Sequence, residues 1–197
     1  MTIETAINRQ RLQNFQFREL FVSGLGWDNP SSGPMHVSES DNAFTFERVA
    51  EKAGVQVVAG GWDSRGEVPN YQIRRQIQRE IAKLSHEHLI VFTDRDQTQQ
   101  VWHWIKREPG QPSRARERQF FKGQSGEPIL QALQSVRFTL DEETELTINA
   151  VTNKLEKAFD KDKVTKKFYD KFKDEHDAFQ TFVSGIPMRR TRSGMHR

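Results

Sequence analysis

The sequence predicts an α+β fold: a mixed β-sheet flanked by helices, followed by a helical C-terminal segment. Three observations lead there. Strand-type runs of Phe and Val occupy 44–58, and a second pair of apolar or alternating runs occupies 89–107. Apolar stripes at helical period precede, separate and follow these runs. Clusters of Gly, Pro, Ser and Asn mark the boundaries.

In chain order, residues 3–23 form the first expected helix. Leu12, Phe15, Leu20 and Val22, with Phe17 and Phe21 beside them, make an apolar stripe that Gly24 and Gly26 stop. Trp27 opens the turn-rich loop WDNPSSGP. Phe44, Phe46 and Val49, then Val55, Val57 and Val58, predict two strands broken near Ala53-Gly54 and ended by Gly60 and Gly61. Residues 70–85 return to helical spacing, with Tyr71, Ile73, Ile77, Ile81 and Leu84 on one face and Arg74, Arg75, Arg79 and Lys83 on or near the other. Leu89–Thr93 is a strand by composition, Asp94–Thr98 a polar turn and Gln99–Arg107 the return strand. Period 2 places Val101, His103 and Ile105 on one face of it and Trp102, Trp104 and Lys106 on the other.

Pro109, Gly110 and Pro112 break the chain, residues 117–122 form another short strand, and a helix covers Glu127–Phe138 with Pro128 near its first turn. From Asp141 the sequence reads as helix, its acidic run DEETE complementing the positive end of the macrodipole, and the Asp160–Asp162 region separates two helices. Val151, Leu155, Phe159, Val164, Phe168, Phe172, Phe179 and Phe182 give this segment an apolar face too rich in Phe to be left in water. It packs on the first domain or on something absent from the chain, and self-association through it is a further expectation. The organisation is thus an α+β domain over 1–138, a helical segment over 139–188 and a disordered basic tail over 189–197.

Composition narrows the function. Hydrophobic residues make up 35% of the 197 and charged residues 29%, more polar than a typical compact domain. There is no cysteine, which excludes a disulfide scaffold, a thiol nucleophile and any cysteine-ligated metal site. No apolar run approaches the roughly 20 residues of a membrane helix, and the N-terminus lacks the layout of a secretion signal. The expectation is a soluble cytoplasmic protein with no membrane partner. Charge is uneven: residues 1–69 carry 6 Lys/Arg against 9 Asp/Glu, 70–138 carry 12 against 7, and 139–197 carry 12 against 11. The basic middle third suits phosphate neutralisation with counterion release; the alternative is a solvated basic face without a partner.

Several motif-like strings lack the context their chemistry needs. FVSGLG (Phe21–Gly26) superficially resembles an S-adenosylmethionine loop, but such a loop follows a strand and opens a helix, whereas this one follows a predicted helix and opens a loop. Asp28–Pro30 is not the Asn/Asp-Pro-Pro-aromatic signature of amino-group methylases. Glu19, Asp41, Glu47, Glu51, Lys52 and Asp63 supply the residue types of an Asp…Glu-x-Lys nuclease. Glu51 and Lys52 are adjacent, however, so on a strand they point to opposite faces. His86-Glu87-His88 reads as a polar turn, because adjacent side chains on an extended chain diverge. Neither a phosphate-binding P-loop nor a nucleophile elbow occurs.

The most suggestive feature is the basic, aromatic stretch in the middle third. Trp102 and Trp104 share a face with Lys106, and Arg107, Arg114, Arg116, Arg118 and Lys122 follow closely. Together with Arg74, Arg75, Arg79 and Lys83 they form the expected nucleic-acid surface, with aromatics to stack on bases and cations to grip a backbone. The alternative is that both tryptophans belong to the core.

Four stretches in fixed order, FRELFVSGLGWD (Phe17–Asp28), TQQVWHWIKREPGQP (Thr98–Pro112), KGQSGEPILQAL (Lys122–Leu133) and KAFDKDKVTKKFYDKFKDEHDAF (Lys157–Phe179), carry a resemblance. They resemble the N-terminal region of large bacterial type IIG-like DNA adenine methyltransferases of restriction-modification and phage-defence systems. The resemblance implies a noncatalytic accessory module that contacts DNA or docks the methylase domain. The S-adenosylmethionine cofactor is expected for the full-length family and not for this chain. The family's N-terminal region is similar in position to a nuclease-like domain; the rival expectation, resting on Glu19 and the carboxylates around 41–63, is a metal-dependent DNA endonuclease with a degenerate motif. After residue 187 the chain departs into MRRTRSGMHR, which predicts a truncated product or fragment, inactive as a methylase by itself.

Overall fold

The computed structural model describes residues 3–39, 42–107, 110–139, 141–142, 146–159, 172–173, 175–176 and 178–179. Met1–Phe159 form one compact unit and Asp160–Arg197 a second. The first is an α+β body around a six-stranded mixed sheet whose spatial order follows the chain.

Helix α1 (Ile3–Gln13) leads, then a π-helical turn over Glu19–Gly24, then strands β1 (Met35–Glu39), β2 (Asn42–Lys52) and β3 (Val55–Gly60). Helix α2 (Tyr71–Leu84) crosses to β4 (His88–Thr93), followed by β5 (Gln99–Lys106) and β6 (Arg114–Phe121). Helices α3 (Glu127–Gln134) and α4 (Ile148–Phe159) close the unit. All strand pairs are antiparallel except β3 and β4, which the α2 crossover makes parallel.

Both faces of the sheet are covered, so there are two cores. α1, the π-helical turn, α3 and α4 bury Leu12, Phe21, Leu130, Leu133, Val151, Leu155 and Phe159 against Val55, Val57, Leu89, Val91, Trp102, Trp104 and Phe120. On the other face α2 sets Ile77 and Ile81 onto Phe44, Phe46, Val58, Ile90, Phe92 and Val101. A bulge between Arg48 and Ala50 lets one strand serve both cores. Ahead of it Phe44 and Phe46 face α2; behind it Ala50 faces the other core. One extra residue inverts every later side chain.

The structure departs from the sequence reading in five places. The 3–23 helix is interrupted: α1 ends in a Schellman-type turn, with Gln16 N–H donating to Arg11 O at 2.9 Å. Phe15 takes the left-handed position at φ 58° that glycine usually fills, so no glycine marked the stop. Strand β1, hidden behind a turn-rich loop, was not foreseen; Met35 and Val37 alternate inward with exposed His36 and Ser38. β6 starts three residues earlier than expected, at Arg114. α3 ends at Gln134, because the chain then turns so that Phe138 N–H reaches Leu25 O at 2.8 Å and Phe138 is buried. α4 begins at Ile148 rather than Asp141; Glu142 instead binds Lys154 at 2.8 Å. No described helix is long and apolar enough to cross a membrane.

In the second unit 172–173, 175–176 and 178–179 are helical, and the rings of Phe172 and His176 lie 6.2 Å apart. Val164, Phe168, Phe182 and the basic tail 189–197 lie outside the described residues.

Candidate nucleic-acid interface

The amphipathic stripe of α2 places Arg74 inward, towards the sheet rather than away from it. Arg74 is buried, and its guanidinium grips Glu117 of β6 with two bonds, Nε to Oε1 at 2.9 Å and Nη2 to Oε2 at 2.7 Å. His103 of β5, paired with Glu117 across the ladder, donates from Nδ1 to Oε1 at 2.6 Å. Burial alone would raise the Glu117 carboxyl, but the bonds from His103 and Arg74 overcome it and hold the pKa down at about 2. Burial lowers His103 despite its carboxylate neighbour, so the ring is neutral with Nδ1 as its donor. His88 follows the same logic: burial takes it down to about 4. Gln78 donates to its Nε2 at 3.2 Å, and its Nδ1 donates to Ser85 O at 2.7 Å. These are fastenings of α2 to the sheet.

Other members of the predicted surface are similarly occupied. Trp102 is fully buried, edge-on to Phe17 at 5.9 Å, with its indole N–H on Gln100 at 3.0 Å. Trp104 is 4% exposed. Neither indole presents a face to a base, which corrects their assignment as stacking residues. They lie on the sheet face that the helices cover, and a sheet buried on both faces reads as apolar on both. Lys106 pairs with Glu156 of α4 at 3.4 Å, and Arg107 with Glu87 at 2.5 Å. Arg118 donates to Ala158 O at 2.6 Å and lies over the Phe159 ring at 5.9 Å, a cation at the C-terminus of α4. Arg75 reaches Ser113 O at 3.4 Å, Lys83 pairs with Glu80 at 2.7 Å, and Arg116 is half-buried. Arg79, Arg114 and Lys122 remain exposed, with no carboxylate paired to them among the described residues.

A different region has the features of a ligand site. Where the parallel strands β3 and β4 end, a crevice of about 500 Å³ opens between Phe15, Phe17 and Arg18 on one side and Trp62 and Gln97 on the other. A cleft with a few polar groups among apolar side chains is the usual form of a ligand site. Its lining includes Gly60 (φ 127°), next to Gly61 (φ 77°) in the chain. A Cβ on Gly60 would meet Thr45 O at 2.8 Å, and one on Gly61 would run into the Phe46 ring. Arg18 donates to Glu47 at 3.2 Å, both side chains being largely open to water. Arg48, half-buried, donates to Gln56 at 3.2 Å and to Gly33 O at 2.7 Å. Trp62 is 41% exposed.

The rim is well fastened. The Asp63 carboxylate accepts from the N–H groups of Arg65 and Glu67 at 2.9 and 3.0 Å, and Asp94 accepts from Thr98 and Gln99, each at 2.8 Å. Burial opposes ionisation of both aspartates, and these hydrogen bonds outweigh it, so both pKa values are lowered. Arg95 N–H joins the two loops by donating to Gly66 O at 2.8 Å. Sequence reading missed Arg18, Arg48 and Trp62. The available signal was G-G-W directly after a Val-rich strand, which puts an aromatic at a strand's carboxyl end.

The expected nuclease residues do not converge. Glu47 pairs with Arg18, Glu51 accepts from Ser31 Oγ at 2.9 Å, Lys52 is buried against Asp28 at 3.1 Å, and Asp63 orders its own loop. Asp41 lies outside the described residues. No cluster of three His, Asp or Glu side chains suited to a metal occurs among the described residues, including around His86–His88. The glycines of FVSGLG do not fit S-adenosylmethionine: a Cβ at Gly24 would meet Asn8 and one at Gly26 would meet Phe138 O, so both are packed against protein. No family model, curated protein or solved structure matches this chain.

Proposed function

We propose that this chain is the noncatalytic N-terminal module of an S-adenosylmethionine-dependent DNA adenine methyltransferase of a restriction-modification system, and that it contacts DNA. The resemblance carried by the ordered stretches between Phe17 and Phe179 supports the family reading. The observation that carries the DNA contact is the crevice, which gathers Arg18, Arg48 and Trp62 where the parallel strands end. Among its described lining residues the one carboxylate, Glu47, faces a cation rather than a second acid, which favours binding over metal-assisted cleavage. Exposed Arg79, Arg114 and Lys122 supply further charge for a backbone.

The test is fluorescence anisotropy with labelled duplex and single-stranded DNA at low and moderate salt. Affinity falls steeply as salt rises, and reversing Arg114 weakens binding about equally on all sequences, lowering the salt slope by about one. Absence of binding at low salt refutes the DNA contact. Plasmid incubated with magnesium or manganese stays intact; nicking would overturn the noncatalytic reading in favour of the endonuclease.

A further inference from the structure

We propose that the crevice at the ends of β3 and β4 holds one nucleotide of an unpaired DNA strand, its base on Trp62 and its phosphate on Arg18. The inference rests on the DNA-contacting reading and names the strand state and the site.

Three features point to this ligand. The volume of about 500 Å³ is large enough for a nucleotide. The lining combines aromatic and aliphatic surface (Phe15, Phe17, Pro34, Trp62) with two guanidinium groups, the combination that single-strand sites use because every base has a π-face and every nucleotide a phosphate. Trp62 is the exposed member of the four tryptophans: Trp27 and Trp102 are buried, Trp104 is 4% exposed and Trp62 is 41% exposed. An indole this open, on a loop fastened by Asp63 and Arg95, is already placed to stack at little ordering cost.

The Arg18–Glu47 pair then acts as a placeholder. In a pair this open to water the attraction is weak, so a phosphate, which carries its charge on more acceptor oxygens, displaces Glu47 from Arg18. Arg48 is held in place by Gln56 and Gly33 and adds a fixed positive charge beside the same opening.

The experiment titrates the full chain with a dT12 oligonucleotide, a duplex of equal length and free dTMP, following tryptophan emission and its quenching by iodide. dT12 quenches the open tryptophan and shields it from iodide, and both signals vanish in Trp62→Phe. Trp62→Ala binds dT12 about tenfold more weakly. Arg18→Ala weakens it and lowers the salt slope by about one, and Glu47→Gln, which removes the competing carboxylate, tightens it. Because Trp62 and Arg18 are open to solvent, far-UV circular dichroism of both variants matches the parent. If dT12 and duplex bind but Trp62 stays accessible to iodide and Trp62→Ala is unaffected, the crevice assignment is wrong while the DNA reading stands. If neither DNA binds at low salt, both fail. If dTMP binds as tightly as dT12, the ligand is a free nucleotide and the strand proposal is overturned, as it is if Glu47→Gln weakens binding.

Discussion

The β5–β6 edge of the sheet and the crevice at its centre use cations differently. At the β5–β6 end, where the sequence is most basic, Arg74, Lys106, Arg107 and Arg118 are tied to carboxylates or carbonyls of the protein itself. At the crevice, in the part of the chain whose charge balance is negative, Arg18 and Arg48 also have protein partners, Glu47 and Gly33 O, but Arg18 keeps 46% of its side chain open to water and Arg48 is half-buried. A charge count records donors, not which of them are already satisfied. At the basic end four cations hold helices and strands together while Arg79, Arg114 and Lys122 stay exposed; at the crevice the partly open cations stand beside a cavity. Removing a partner at the basic end should therefore cost stability, whereas changing an open cation should cost affinity.

The largest expected effect is at Glu117. Replacing it by Ala leaves Arg74 buried without its carboxylate and His103 without an acceptor, and urea denaturation should show a loss of about 3–5 kcal/mol. A cost under about 1 kcal/mol would mean that α2 is not fastened there.

Acid tests the same end. Because burial takes His88 from 6.5 to about 4, the unfolded chain binds a proton that the folded one refuses. Stability is then full above pH 6.5 and falls as the pH drops from about 6.5 to about 4. Glu117, depressed from 4.5 to about 2, adds a second loss as pH falls through that lower range. His88→Gln should flatten the upper part of the profile measured by chemical denaturation; an unchanged slope there would assign the loss elsewhere.

At the crevice, Gly61→Ala combines a left-handed backbone with a collision against Phe46, and should lower stability by about 2–3 kcal/mol. Arg118→Ala removes the cation from the end of α4 and should cost about 1–2 kcal/mol, read as faster amide exchange in that helix. Smallest of all, reversing the charge of Arg79, Arg114 or Lys122 should move the urea midpoint by less than about 0.5 kcal/mol equivalent while reducing DNA affinity. A large stability loss at any of these three would erase the distinction between held and open cations.

Much of the fold was legible in the sequence. The Val/Phe runs on either side of Ala53-Gly54 and the alternation through Trp102 and Trp104 each encode a local period that the structure keeps; the α2 stripe holds at Ile77 and Ile81, whereas Tyr71 and Leu84 are exposed and Arg74 turns inward to reach Glu117. The misses came from non-local stabilisation. Phe15 adopts a left-handed turn conformation without being glycine. β1 exists because it pairs with β2, and α3 yields its last turn so that Phe138 can reach Leu25. The candidate site was the least legible part, because Arg18, Arg48 and Trp62 are far apart in sequence and unremarkable in type.

By itself the sequence determined the α+β class, most of the elements and the basic middle third, since each follows from local periodicity and composition. Only the tertiary structure decided that helices cover both sheet faces, which makes Trp102 and Trp104 core rather than contact residues. It alone placed Glu117 under α2 and brought Arg18, Arg48 and Trp62 to one opening at the carboxyl ends of β3 and β4. Partner choice between charges depends on distance and burial, and a linear chain specifies neither until it is folded.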